Sequence, residues 1–300
     1  MSALHAGDIA AAVAGHFPAA EVRAVQRLEG GVSAQVFRID LRLADGTGKA
    51  VVLRAMGESG LESAQEHALL AALHAASVPV PRPIRFDANC SHINAAYVLM
   101  EFAEGSSEMP EGSAGSQIVR MAETLVTIHR TPSALLPPLP PCLDSVPELF
   151  GFLPDGAEWR ALRDFCASLA PRPFDGEPVL LHGDFWPRNL LWQDGRVVAV
   201  LDWEDAACGD PQSDVACAQL ELKYLFDYEL VDLFLSSCAG HLSIDPHRLA
   251  LWQIYVASAG QHSMAHWGLE SSREAHARQM ALEHIRTAAV VLGVGAPALG

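Results

Sequence analysis

The sequence predicts an α+β fold with two parts, a small β-rich N-terminal lobe and a larger, mostly α-helical C-terminal lobe. In the first hundred residues, apolar and polar residues alternate as they do in half-buried strands. From about residue 213 to near the end, the apolar spacing is helical. Residues 104–116 are rich in glycine and serine, which predicts a linker or flexible loop. We therefore expect one lobe over residues 1–103 and the other over residues 104–300.

The clearest strand of the N-terminal lobe is "QVFRIDLRL" (35–43), in which Phe37 and Ile39 alternate with charged residues. The turn sequence "ADGTG" follows it and predicts an antiparallel return of the chain. Together these patterns predict a small, mostly antiparallel sheet. The other predicted elements of this lobe are a short N-terminal amphipathic helix, a strand at 50–54, a helix at 60–76, and strands at 78–86 and 95–105.

The helix predicted at 60–76 carries a carboxylate on its apolar face. Glu66 precedes Leu69, Leu70 and Leu73 by three, four and seven residues, so all four side chains share one side of the helix. Burying a charge is costly unless the charge is paired. Glu66 therefore needs a partner outside its own helix.

The C-terminal lobe begins with helices predicted at 117–130 and around 157–169. Residues 178–211 then read as a strand, a polar loop, a short strand, an Asp-Gly turn, a third strand and a second polar loop. The two polar loops interrupt runs of apolar residues, where glycine or serine would suffice for a simple turn. They are the candidate functional segments.

The bulk composition excludes some functions. The 300 residues carry 20 lysines and arginines against 36 acidic residues, a net charge of -16, so no nucleic-acid partner is expected. An acidic cleft would suit a cationic substrate, although net negative charge also simply maintains solubility. The six cysteines have no metal-binding spacing and suit a reducing compartment. Without a signal-peptide pattern or a long apolar run, we expect a cytoplasmic protein that does not span a membrane; its oligomeric state is left open.

The polar loop in "LLHGDFWPRN" (180–189) contains Asp184 and Asn189, and Asp202 ends the strand that returns beside it. We expect these three side chains to converge at one end of the small sheet. Two carboxylates and an amide offer oxygen atoms, the ligands that Mg²⁺ prefers. The other interpretation is a buried polar loop whose carboxylates accept hydrogen bonds from local backbone N–H groups.

The segments "HGDFWPRN" and "LDWEDAACGDPQSDVA" occur in an order and spacing that match two motifs of a known family. The chain resembles the aminoglycoside phosphotransferase/choline kinase family over nearly its whole length. This resemblance implies a protein-kinase-like fold and Mg²⁺-dependent transfer of the γ-phosphoryl group of ATP or GTP to a substrate hydroxyl. An aminoglycoside, a choline-like amine or an amino alcohol would be a suitable acceptor.

The resemblance also implies roles for the residues of both polar loops. Asp184 would accept the proton of the substrate hydroxyl, and Asn189 and Asp202 would hold Mg²⁺ against the phosphates. His182 would brace the loop. Asp214 would accept hydrogen bonds from the loop backbone.

In the N-terminal lobe, the resemblance makes Glu66 the partner of a cation on the strand that ends at residue 54. The wider fold has a lysine there, whereas this chain has Arg54. The guanidinium of arginine is planar and donates in several fixed directions, whereas the ammonium of lysine is a compact point charge. A plain structural ion pair is the other interpretation. The remaining implied nucleotide contacts are Gly30, Gly31 and Ser33 in a phosphate-covering turn, Met100 behind the adenine, and the backbone of Glu101 and Ala103 at the base edge.

The acceptor is the least determined part of the prediction. From Leu201 to Asp232 the sequence has nine acidic residues and one basic residue, Lys223. Some of them, such as Glu204 and Asp205, would suit a cationic substrate, but a charge run is also typical of a solvated helix face. Trp186 and Trp203 flank the predicted metal cluster and either wall the acceptor pocket or serve in packing.

Two other functions are considered. The chain is alternatively a catalytically inactive nucleotide-binding regulatory or scaffold protein of the same fold, which Arg54 in place of lysine would suit. A hydrolase with paired carboxylates is the third possibility, but it leaves the N-terminal lobe unexplained.

Overall fold

The structure confirms the predicted division into a β-rich N-terminal part and a mostly helical C-terminal part. It is a computed structural model. The residues that it describes are 4–28, 34–55, 62–88, 92–93, 95–109, 114–146, 152–153, 156–226 and 228–295. Within these ranges, no helix combines the length and the apolar character needed to cross a membrane.

The N-terminal part is a five-stranded antiparallel sheet with two helices. The strand order is β1-β2-β3-β5-β4, so β3 and β5 lie next to each other in its interior. Because β3 and β5 are antiparallel, Val51 near the start of β3 lies opposite Glu101, where the chain leaves the sheet for the C-terminal part, and Ala55 lies opposite Tyr97. Its elements are α1 (Ala6–His16), β1 (Glu21–Leu28), β2 (Gln35–Arg42), β3 (Gly48–Ala55), α2 (Ser63–Ala75), β4 (Pro83–Asp87) and β5 (Tyr97–Glu101).

Alternation along the strands gives the sheet two buried faces. On one face, Ile39, Leu53 and Leu99 pack with residues of α1. On the other face, Val98 and Met100 pack with the leucines of α2 and with helices of the C-terminal part. The apolar core on this second face continues from the sheet into the C-terminal part. Its close packing holds the two parts firmly together.

Three strands of this part differ from the predictions. The strand predicted at 95–105 is shorter, since β5 runs only from Tyr97 to Glu101. β1 was not predicted, because most of its side chains are exposed at the edge of the sheet and no apolar alternation marks it. The strand predicted at 78–86 begins later, at Pro83. The earlier residues of that stretch contain Pro79 and Pro81, which cannot donate hydrogen bonds to a sheet.

The C-terminal part contains two further small sheets and six helices in the described ranges. β6, β10 and β7 form a three-stranded sheet, and β8 and β9 form an antiparallel hairpin. The elements are α3 (Ala114–His129), β6 (Pro141–Cys142), α4 (Arg160–Ser168), β7 (Val179–Leu181), β8 (Leu190–Gln193), β9 (Arg196–Val200), β10 (Ala207–Gly209), α5 (Pro211–Leu225), α6 (Tyr228–Ala239), α7 (Pro246–Ser263) and α8 (Ser271–Val291).

The stretch predicted as a linker or flexible loop, residues 104–116, has more structure than its composition suggests. Ser106 pairs with Trp192 of β8 through two backbone hydrogen bonds of 2.8 and 3.0 Å. Helix α3 already begins at Ala114. The pairing with Trp192 is a contact between distant segments, which local composition does not encode.

Candidate active site

The 182–189 loop, which joins β7 to β8, depends on a glycine. Gly183 has a φ of +86°, and a Cβ atom at this position would lie 2.2 Å from the carbonyl oxygen of Asp205. Only glycine allows both this left-handed backbone and this close approach. The loop is therefore packed directly against the second polar loop, residues 201–206.

A buried aspartate on α5 fixes the start of the 182–189 loop. Asp214 accepts hydrogen bonds from the backbone N–H groups of His182 and Gly183, each at 2.9 Å. It accepts a third at 2.9 Å from the side chain of His129 on α3. Burial would raise the pKa of Asp214, but the hydrogen bond and charge of His129 and the contacts of His182 outweigh it and lower the pKa. The ionised carboxylate thus ties α3, α5 and the loop together.

His182 connects the two polar loops. Its Nδ1 atom accepts from the backbone N–H of Asp184 at 3.2 Å, so its Nε2–H donates to the carbonyl of Leu201 at 2.8 Å. Burial lowers the pKa of this histidine, against an opposing effect of Asp214. A neutral imidazole can make both bonds at once, whereas an imidazolium could not accept the first.

Asp184 and Asn189 lie at opposite ends of a short turn and touch. The side-chain amide of Asn189 donates to the backbone carbonyl of Asp184 at 2.9 Å and to its carboxylate at 3.0 Å. Burial, together with the charges of Asp202 and Asp205, raises the pKa of Asp184 to about 7. Asp184 is therefore a carboxyl group whose proton affinity suits proton transfer near neutral pH.

Asp202 lies two residues beyond the end of β9 and not at its last position as predicted, because its backbone is in the left-handed region at a φ of +62°, which ends the extended chain. Few aspartates adopt this conformation, and such backbones are concentrated at functional sites. Burial raises the pKa of Asp202. The charge of nearby Arg54 opposes this rise, and the charge of Glu204 increases it. The conformation aims the carboxylate of Asp202 at the interior of the N-terminal sheet.

Arg54, near the end of β3, is bound by three carboxylates. Its Nη1 atom donates to Glu66 of α2 at 2.6 Å, and its Nη2 atom donates to Asp202 at 2.6 Å and to Glu204 at 2.8 Å. Burial would lower the pKa of Arg54, but the three carboxylates raise it. The structure thus brings Arg54 and Glu66 together, and it adds Glu204, which the sequence had suggested for a cationic substrate.

The residues expected to contact the nucleotide base lie at the end of β5 and just after it. Met100 is buried between the two parts of the chain. The backbone N–H of Glu101 donates to the carbonyl of Arg82 at 2.9 Å, so it serves the protein's own structure, and the Glu101 side chain pairs with Lys49 at 2.7 Å. Ala103 lies two residues further on, past the end of the strand. Gly30, Gly31 and Ser33, the expected phosphate contacts, lie outside the described residues.

Two acidic residues border Asp184. Burial, Glu204 and Asp202 raise the pKa of Asp205, which lies in the 201–206 loop. Burial and the charge of Asp184 raise the pKa of Glu221 to about 8, against an opposing effect of Arg188. Glu221 was not singled out in the sequence, although it lies seven residues after Asp214 and so on the same face of α5.

The two flanking tryptophans have different environments. Trp203 is 1% exposed, donates to the carbonyl of Val200 at 3.1 Å and lies 4.6 Å from the ring of His182. Trp203 is therefore part of the packing below the loops and not a wall of an open pocket. Trp186 lies 5.9 Å from the guanidinium of Arg188.

The donor set suits a hard divalent cation. Asn189 and Asp202 provide amide and carboxylate oxygens beside Asp184, and Mg²⁺ in proteins is bound by one or two carboxylates together with substrate phosphates and water. In the described part of the chain, no three histidine, cysteine or acidic residues are placed to hold a metal by themselves. The residues therefore fit an ion whose remaining ligands come with the substrate, and they do not fit an all-protein metal cage.

Residues 24–252 match the model of the "Phosphotransferase enzyme family". Among curated proteins, an aminoglycoside 3'-phosphotransferase of Streptomyces fradiae is 25% identical in an alignment 221 residues long that covers 67% of this chain and 81% of that protein. The acyl-CoA dehydrogenase family member 11 of Gallus gallus is 28% identical in an alignment 177 residues long that covers 51% of this chain. The chain spans only 22% of that second relative.

Among solved structures, a thermostable mutant of an aminoglycoside phosphotransferase, in a ternary complex with ADP and hygromycin B, has a similar fold. The TM-score is 0.65 at 16% identity, and the alignment covers 93% of this chain and 98% of that chain. This likeness confirms the kinase-like two-lobe α+β fold.

Proposed function

Because the chain belongs to the phosphotransferase enzyme family, we propose that it is a small-molecule kinase that transfers the γ-phosphoryl group of ATP or GTP to a hydroxyl group with Mg²⁺. The observation that supports this proposal most directly is that two groups of polar residues lie next to each other and are joined through Asp202. Asn189 binds Asp184 on one side, where the charge of Asp202 also acts on Asp184, and Arg54 joins Asp202 to Glu66 on the other side. Phosphoryl transfer depends mainly on positioning and charge, which such a cluster provides.

Asp184 is the residue that we assign to the acceptor hydroxyl. Its carboxylate accepts the hydroxyl proton as the oxygen attacks the γ-phosphorus and the bond to the leaving nucleotide oxygen breaks. The hydrogen bond from Asn189 fixes the carboxylate at 3.0 Å, and His182 and Asp214 fix the loop that carries it. A pKa of about 7 keeps this group able to take up and release a proton near neutral pH.

Asn189 and Asp202 are the residues that we assign to Mg²⁺, which when bound would supply positive charge against the phosphate oxygens. Arg54 lies beside Asp202 and would place a second positive group near the α- and β-phosphates. Gly30, Gly31 and Ser33 are assigned to the covering turn by the resemblance. Met100, the carbonyl of Glu101 and the N–H of Ala103 are assigned to the base.

A cationic acceptor is the second part of the proposal. The relative from Streptomyces fradiae is named for an aminoglycoside, and the ternary complex holds hygromycin B. In this chain, Asp205 and Glu221 border Asp184, and the charges of neighbouring carboxylates add to burial in raising both pKa values; the same concentration of carboxylates would favour a positive group there. An amine close to the reacting hydroxyl would meet that requirement.

The experiment is a measurement of ADP release from ATP and GDP release from GTP with Mg²⁺ and a panel of hydroxyl acceptors. The panel contains aminoglycosides, choline, ethanolamine, other amino alcohols, simple sugars and hydroxy acids. We expect release that one cationic class stimulates and that Asp184→Asn reduces by about 10³-fold while nucleotide binding persists. Bound nucleotide without stimulated release on any acceptor would favour the inactive binding protein instead.

A further inference from the structure

Arg54 uses its two terminal nitrogens in two directions. Nη1 points to Glu66 on α2, and Nη2 points to the 201–206 loop, where it is shared by Asp202 and Glu204. The guanidinium is only 10% exposed, and Glu204 is 17% exposed. A lysine could not span these two directions, since its ammonium is a single point on a flexible stem.

The carboxylates of Glu66, Asp202 and Glu204 all contact a guanidinium that carries one positive charge. Glu66 is nearly completely buried and needs its bond to Arg54, because an ionised carboxylate without a partner is costly in that position. Asp202 is more exposed, at 34%, and is assigned to Mg²⁺ in the proposed function. A cation bound to Asp202 would weaken the ion pair between Asp202 and Nη2 of Arg54. The guanidinium would then need another partner in the 201–206 loop.

Glu204 lies where that partner is needed. It follows Asp202 by two residues and binds the same nitrogen, at 2.8 Å. Its carboxylate is therefore directed at the arginine. Asp205, its neighbour in the same loop, forms no ion pair with Arg54 within the described ranges.

We propose that Glu204 is a positioning residue for the nucleotide site: it holds the Nη2 half of Arg54 so that Asp202 is available to Mg²⁺ while Arg54 stays bound to Glu66. This role is specific to arginine at position 54. The inference rests on the proposed function, because it assigns Asp202 to the metal. It also removes Glu204 from the set of carboxylates that recognise a cationic acceptor.

The test is a double-mutant cycle between Arg54→Lys and Glu204→Gln, with calorimetric binding of MgATP or MgGTP as its readout. We expect Glu204→Gln to weaken nucleotide binding by about tenfold when residue 54 is arginine. In the Arg54→Lys background, we expect the same change to have little effect, because a lysine paired with Glu66 does not reach Glu204. Asp232→Asn, at an exposed position of α6, is the matched control, and its effect should be equal in both backgrounds.

Three results would overturn the inference. Equal effects of Glu204→Gln in both backgrounds would mean that the residues are not coupled. An increase in acceptor KM with unchanged nucleotide affinity would mean that Glu204 contacts the acceptor. Failure of the wild-type protein to bind either nucleotide would overturn the proposed function itself, so the two failures are distinguishable. Thermal unfolding of each variant confirms that the measured protein is folded.

Discussion

Glu221 and Asp184 show how burial sets the chemistry of single residues in this site. Both are acids whose pKa values rise into the neutral range or above, to about 8 and about 7, first because they are buried and then because of neighbouring carboxylates. In the proposed function, Asp184 accepts the proton of the reacting hydroxyl. Glu221 on α5 borders Asp184, and in the same proposal it would attract a positive group of the acceptor.

The raised pKa of Glu221 makes stability depend on pH in a defined direction. Above a pH of about 4.5 the unfolded chain loses this proton, whereas the folded protein keeps it until about pH 8. Folding is therefore increasingly disfavoured between these two values. We expect Glu221→Gln to raise Tm by a few degrees at pH 9 and by less at pH 5, in thermal unfolding scans. The matched control is Glu229→Gln at an exposed position of α6; a gain in Tm independent of pH would contradict the account.

Some residue contacts follow from local sequence and others do not. The placement of Glu66 on an apolar helix face predicted a buried partner, and the structure supplies Arg54. His129 lies on the apolar face of α3, and its partner Asp214 is 85 residues away in sequence, so the pattern of its own helix does not identify that partner. Glu204 and Arg54 are 150 residues apart in sequence, so their contact depends on how the whole chain folds.

At the scale of elements, the two polar loops work as one unit because Gly183 lets them touch. The 182–189 loop supplies Asp184 and Asn189, and the 201–206 loop supplies Asp202. His182 links the loops through the carbonyl of Leu201. The sequence predicted both loops from their polar residues between apolar runs, but it did not predict that β7 pairs with the short β10, since a three-residue strand has no periodic pattern.

We expect Gly183→Ala to lower kcat by at least about 10²-fold and to destabilise the protein by about 1–3 kcal/mol, because the added Cβ meets the carbonyl of Asp205 and the left-handed backbone is strained. Stability is measured by denaturant unfolding and kcat by nucleotide release. The matched control is Gly195→Ala in the β8–β9 turn, where φ is +70° but no atom lies within 4 Å of the new Cβ. This control should lose stability but keep its activity. Equal behaviour of the two variants would show that the contact with Asp205 is unimportant.

At the scale of the whole molecule, the second face of the sheet and the C-terminal helices share one apolar core. The proposed catalytic cluster lies where strands and loops from both parts meet, and it joins residues from β3, α2 and the two polar loops. The order of the motifs was sufficient to predict the fold and the general location of this cluster. The acceptor was not predictable in the same way, because it is selected by helix surfaces whose contacts depend on the folded chain.

The measurement that tests the account most directly is calorimetric binding of ATP and GTP, each with Mg²⁺ and with a chelator, to the wild-type protein and to Asp202→Ala. We predict that Mg²⁺ tightens wild-type binding by about tenfold or more and that Asp202→Ala abolishes this dependence. Asp232→Ala, an exposed acidic position on α6, should behave as wild type. Binding that is indifferent to Mg²⁺ in the wild-type protein, or an undiminished Mg²⁺ effect in Asp202→Ala, would contradict the assignment of this cluster as a magnesium-dependent phosphoryl-transfer site.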